Sequence, residues 1–577
     1  MKKLTALFSL LTVLIFSAPG ESSYDPLLHR ALREELFYQK NHLSLEGRPG
    51  PFYLSAALTD IRFRRVIAVR GAVIQKRDVP YRGIMGRLMV GDYELNNENF
   101  LTYNNMFGEI GRFTGTVQEN DPLAIRRSLW LMADTLYKEA VVRLEDKKSI
   151  MKECGMTVDE TGPDFIPAGE IHYSRTRRQA LPSMALLEET AKVISKEVGS
   201  EKRIKDSQTD IYGWETLISY VNTEGSMQVF PLSGITVTLT GYGLTQEGEQ
   251  EGMRFRAVFP AGGEFPSRAE WIKQAREFRK ALLRQIDASP YDDYYEGPVL
   301  FSGEAVSQLF ASSLFGEKDP LIDRKQPLYY DRRIADADPD RDTGLMSRRL
   351  GRLVVSPLLT VKAVSGKEAW DGIPLVGYFP CSAEGVPVKE KTLISRGILK
   401  EMLSSRTPVR KGEEAGWHKR WVNPWRIDDA PGVVAVFPEQ SLTKEALHEK
   451  LSREAEKNGY DYYISISSLS EPGFLDSLTD QSWEEPGALL PRCVEKVYAD
   501  GRREPVRNIE ALFFSPRSLK HLLGVTTPLK ARNLVYKRNQ TDIYASFIVP
   551  SSVAVEEMVI TGKPQDGFSY EEYLPVD

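Results

Sequence analysis

Apolar positions along the chain recur first at mixed helical and alternating periods, then almost wholly at the alternating period of strands. Asp25–Asn41 reads as an amphipathic helix, and Phe52–Leu58, Arg64–Ile74 and Ile84–Asp92 read as strands separated by turns. Asp121 and Pro122 make an N-cap and first-turn pair for a helix to about Lys147, with Ile125, Leu129, Met132, Leu136 and Leu144 as its buried stripe. Ser183–Val198 is a further predicted helix, and Gly234–Thr240 alternates like a half-buried strand. Ser267 and Glu270 form a capping box that opens a helix to about Ala288, with Trp271, Ile272, Ala275, Phe278 and Leu282 on one face. The turn-rich stretch Ser289–Pro298 then breaks the pattern and marks the predicted domain boundary.

Beyond it, Gly297–Phe310 (GPVLFSGEAVSQLF) reads as a short strand at Pro298–Phe301, an N-cap at Ser302, and a helix carrying Val306, Leu309, Phe310 and Leu314. An acidic, exposed loop is expected at Asp331–Gly344. Strands are predicted at Leu353–Val364, Thr392–Leu403, Gly432–Phe437, Tyr460–Ser468, Val494–Tyr498 and Thr541–Val549. One helix, Thr443–Asn458, interrupts them and ends at Gly459. No internal repeat is visible, so the fold class is α+β, with a mixed N-terminal half and a strand-rich C-terminal half.

The first twenty residues change the compartment. Lys2 and Lys3 precede an apolar run from Leu4 to Phe16 and small residues near Ala18 and Gly20, the pattern of a secretory signal peptide. No later run approaches about 18 apolar residues, so no membrane span is expected after signal removal. An exported chain, periplasmic or extracellular, follows. The net charge of −5 over 577 residues is small and well mixed, which offers no electrostatic case for nucleic acid. Cys154, Cys381 and Cys493 are far apart and odd in number, so no disulfide framework or zinc spacing is indicated, although one bridge stays open.

Chemistry-bearing motifs are sparse. The six histidines, His29, His42, His172, His418, His448 and His521, nowhere pair at i, i+4 or i, i+5. His448 is followed by Glu449, but Ser452 and Arg453 fill the second-ligand positions, and the residue reads as a solvated surface histidine. His418 reads as an exposed loop residue. Asp336, Asp338, Asp340 and Asp342 mimic a calcium loop, yet Arg341 and Ser347 stand where its glycine and glutamate belong, leaving a solvated acidic loop. No nucleophile elbow, P-loop or dinucleotide fingerprint occurs.

The segment at Gly297–Phe310 resembles the strand and helix at which active members of the TldD/PmbA family carry HExxxH. In that alignment Gly303 stands at the first histidine, Glu304 keeps the acid, and Gln308 stands at the second histidine. Five further segments are similar to the family's in the same order: Val90–Asn97, Asp121–Lys148, Ala383–Leu403, Arg420–Pro438 and Tyr498–Val525. The resemblance also implies a cysteine ligand shortly before the last of these, where Cys493 is a remnant ligand or a core cysteine. Neither glycine nor an amide replaces a neutral imidazole on zinc.

What the resemblance implies is a two-domain TldD/PmbA-like fold, with the signal at 1–20, an N-terminal domain at 21–295 and a C-terminal domain at 296–577. The family implies a proteolytic system acting on small or unfolded peptides, built from dimers in which one subunit type holds the metal and another lacks the motif. This chain is expected to be the second type: a non-catalytic or peptide-binding subunit without a cofactor. It would form a homodimer, or a heterodimer with an HExxxH-bearing relative. Two alternatives stay open. One is an active peptidase with a relocated site using Glu304, Cys493 and His418, with zinc only in that case. The other is a structural homo-oligomer that binds extended peptides by strand addition.

Overall fold

The computed structural model describes residues 24–103, 111–338, 345–410, 412–471, 487–539 and 541–563. The segment read as a signal peptide, and Asp340 and Asp342 of the acidic loop, lie outside the described residues. Among the described residues no helix is long and apolar enough to cross a membrane.

Two 19-residue strands, Pro51–Val69 and Ala72–Val90, form one long hairpin closed at Arg70 and Gly71, both in the left-handed region (φ 47° and 89°). The turns expected between shorter strands are absent from it, and pairing runs unbroken from Thr59 opposite Gly83 to Phe63 opposite Val79. In place of the expected turn between Leu58 and Arg64, charged residues pair across the strands, Arg62 with Asp78 at 2.7 Å. Around this hairpin a seven-stranded sheet adds Ile204–Asn222, Met227–Leu244, Gln250–Phe259 and two short strands.

Four helices cover that sheet. Pro26–His42 and Pro122–Glu153 bury Leu32, Leu36, Ile125 and Leu129 against Leu54, Leu58, Ile84 and Leu88. Met184–Val198 and Arg268–Ile286 bury Leu187, Ile194, Trp271 and Leu282 against Val66, Val237 and Leu239. The caps are as expected: Asp121 accepts from the Leu123 amide at 2.9 Å, Ser183 from Leu186, and Ser267 with Glu270 forms the capping box. The second helix runs past Lys147 because that lysine is buried and ion-paired to Asp164, so its charge does not end the helix in solvent.

The stretch Ser289–Pro298 is not a break. Ser289–Pro290 pairs with Val506 and Arg507, and Tyr294–Ser302 is a strand, because Tyr291 and Tyr295 are core residues whose burial outweighs the neighbouring turn formers. The acidic loop is corrected too: Arg332–Ala337 is a short helix capped by Asp331, and Asp338 is buried against Tyr329.

The C-terminal half packs a seven-stranded and a six-stranded sheet into one core. The helix Ala305–Phe315 touches strands of both sheets, including Tyr462–Ser470, Lys530–Arg538 and Thr541–Val549. Ala305, Val306, Leu309, Phe310, Ala311, Leu314 and Phe315 are all fully buried. Buried around most of its circumference, it is a core helix rather than a surface amphipathic one. Its entry therefore has a fixed position in the fold.

Candidate functional site

The strand Tyr294–Ser302 ends with Ser302 still paired to Ser552, so Ser302 is not the N-cap that the sequence suggested. Gly303 takes φ +60°, the chain turns, and Glu304 becomes the N-cap of the core helix. The Glu304 carboxylate makes no capping bond, and no hydrogen bond or ion pair among the described residues. It keeps part of its surface, yet burial pushes its pKa up to about 7, with the nearby Arg532 pulling the other way.

Cys493 is brought to the same place. It lies in the strand Leu490–Tyr498, where Ser467 and Cys493 fall between the paired residues of the two strands, and it takes φ +52°. Ser467 Oγ donates to the Cys493 carbonyl at 3.3 Å. Burial first, then Glu495 and Glu304, push its thiol up to about 11. It is half-buried at a bulge and packs against the core under the first sheet; Cys381 is fully buried, and all three cysteines are free.

The other candidates lie elsewhere. His418 is fully buried and stacked on Trp417, with both ring nitrogens unpartnered, which overturns its reading as an exposed loop residue. Burial first, then Lys391 and Arg420, hold its pKa well below the usual imidazole value. Its apolar neighbours in GWHKRWV are what carry it into the core. His448 is half-buried, within 3.0 Å of the Tyr463 hydroxyl, so it is less solvated than expected.

A second feature escaped the sequence reading. The strand Met227–Leu244 pairs along one edge with Ile204–Asn222. On its other edge, His172–Ser174 pairs only up to Val229, and Gln250–Phe259 pairs only from Ile235. Phe230–Gly234 therefore has no strand partner on that side among the described residues. The gap opens onto a cleft of about 930 Å³ between the first sheet and the C-terminal half. Pro231, Leu232, Ser233, Leu375, Val376 and Tyr544 line it, together with the segment Arg175–Ala180. Glu304, Gln308 and Cys493 do not line it. The basic run RTRRQ was the only available signal, and without periodicity it reads as an ordinary loop.

Residues 295–416 match the family model of the PmbA/TldA metallopeptidase C-terminal domain. The fold is also found in TldE from Thermococcus kodakarensis, at TM-score 0.54 and 12% identity, covering 92% of this chain and 100% of that one. The family-model match places the segment 295–416 in the PmbA/TldA family. A proposed modulator of a DNA gyrase from Thermotoga maritima is similar at TM-score 0.55 and 14% identity, covering 88% and 96% of the two chains. Another, from Bacteroides thetaiotaomicron, reaches 0.56 at 10% identity, covering 93% and 98%. At these identities the likeness to the three structures concerns the fold alone. No curated protein matches by sequence.

A zinc ion at the helix entry would need three or four close donors. The residues present do not fit it: Gly303 has no side chain, Gln308 offers an amide, and Cys493 is a lone thiol. Among the described residues no three His, Cys, Asp or Glu side chains come together as a metal site.

Proposed function

We propose that this chain is a peptide-binding, non-hydrolytic member of its metallopeptidase-related family. It would be exported by residues 1–20 to the periplasm or beyond, and would work as a homodimer or beside an HExxxH-bearing relative. The observation that carries the reading is the helix entry, where a glycine with φ +60° and an amide occupy the two ligand positions around a retained glutamate. The open edge at Phe230–Gly234 supports peptide binding, because unpaired backbone groups beside a cleft accept an extended segment of about five residues by strand addition. The test is to incubate the full chain with an unfolded peptide and follow both binding and cleavage. Binding with the peptide left intact is expected; chelator-sensitive cleavage would overturn the reading.

A second reading rests on one specific observation. Glu304, with a pKa of about 7, is a carboxyl suited to general-base work, and Cys493 lies within its electrostatic reach. The protonated thiol, and the absence of a third group beside them among the described residues, make it the weaker alternative.

A further inference from the structure

The cleft beside the open strand edge has an uncompensated positive charge. Four arginines line it, Arg175, Arg177, Arg178 and Arg420, against two carboxylates, Glu215 and Glu368, an excess of two. Arg175 is spoken for by Glu368 at 2.8 Å, and Arg178 lies 3.6 Å from Asp60. Arg177 is exposed and has no hydrogen bond or ion pair among the described residues.

Arg420 is the more informative group. It is 4% exposed, and among the described residues its guanidinium donates only to backbone carbonyls, those of Pro431 at 2.8 and 3.2 Å, Trp421 at 3.1 Å and Tyr544, while lying over the Phe379 ring at 5.5 Å. Four of the five N–H groups of a guanidinium are thereby used and one remains. No carboxylate forms an ion pair with it among the described residues, and burial first pulls its pKa down to about 10, with Tyr536 and Asp428 opposing, so it stays charged. A buried charge without a counter-ion is costly, and an anion brought into the cleft offsets that cost.

We infer that the cleft selects extended peptides bearing a carboxylate, with Arg177 drawing the anion in and Arg420 meeting it at the wall. The inference rests on the peptide-binding reading and adds the chemistry of the peptide. The backbone of the bound segment completes the open edge at Phe230–Gly234, while the arginines read its charge. Attraction of this kind acts across the whole cleft and is screened by salt.

Calorimetric titration of the full chain with three ten-residue peptides of equal length tests it: one with alternating glutamates, one with glutamines in their place, one with lysines, all amidated at the C-terminus. A fourth, the glutamine peptide with a free C-terminus, separates an acidic side chain from a terminal carboxylate as the source of the anion. The glutamate peptide is expected to bind about ten-fold more tightly than the lysine peptide at low ionic strength, and the gap to shrink in 0.5 M salt, where screening acts within about 4 Å. Arg177→Ser, a surface change that leaves the fold alone, should narrow the gap several-fold and leave the glutamine peptide unaffected. Arg420→Gln should do the same, with its melting curve recorded alongside. Equal affinities, or tighter binding of lysine, overturn the inference while leaving peptide binding intact. Failure of every peptide to bind overturns both.

Discussion

A Cβ added at Gly303 would stand 3.1 Å from the carbonyl oxygen of Ser467. With φ at +60°, a side chain at residue 303 is disfavoured on two counts, backbone conformation and space. Gly303→Ala is therefore expected to lower stability by about 1 kcal/mol or more in urea denaturation. Gly303→His with Gln308→His should cost more and still fail to bind zinc tightly. An unchanged urea midpoint for Gly303→Ala would contradict this picture of the helix entry.

Glu304 sets a pH dependence whose sign is fixed by its raised pKa. The folded state holds the proton to about pH 7, whereas the unfolded carboxyl releases it near 4.5. Between those values the folded state binds more protons, so stability falls as pH rises through the window, and the penalty is complete above pH 7. Glu304→Gln should accordingly gain on the native protein between pH 5 and pH 8, as read from paired urea midpoints. A constant difference across that range would mean the carboxyl is not desolvated.

The thiols offer a probe of the electrostatic coupling between Glu304 and Cys493. Cys154 is exposed and should react first with iodoacetamide, while Cys381, buried and with its pKa pushed up to about 12, should react last. Cys493 falls between. Because Glu304 raises the Cys493 thiol, Glu304→Gln should speed labelling of Cys493 at pH 8 and leave Cys154 unchanged, as measured by peptide mass spectrometry.

The two halves are joined by a buried ionic network. Arg406, fully buried, donates to both Glu224 oxygens and to the Glu384 carbonyl, its own amide donates to Glu384, and Arg87 pairs with Glu384 and Glu98. Removing one partner strands the others without water. Arg406→Ala is expected to cost about 3–5 kcal/mol in urea denaturation, while Arg30→Ala, at an exposed helical pair, should cost almost nothing.

Much of this fold was legible in the chain because caps are local. Asp121, Ser183, Ser267 and Thr443 each open the helix expected of them. The long hairpin was misread where charged residues pair across strands, since a cross-strand ion pair and a turn look alike in sequence. Several strands were missed, among them Ile204–Asn222, Gln250–Phe259, Lys530–Arg538 and Ser552–Thr561, because each mixes apolar with polar or charged residues. At the candidate site, the sequence suggested Glu304 and Cys493 as neighbours through resemblance only. The cleft was invisible, for an unpaired strand edge is a property of what fails to pair with it.

Zinc content tests the central claim most directly. The full chain would be equilibrated with excess zinc, passed through gel filtration, and its metal measured by mass spectrometry. Well under one zinc per chain is expected, unchanged in Glu304→Gln and Cys493→Ser. One tightly held zinc per chain, lost in either variant, would contradict the account.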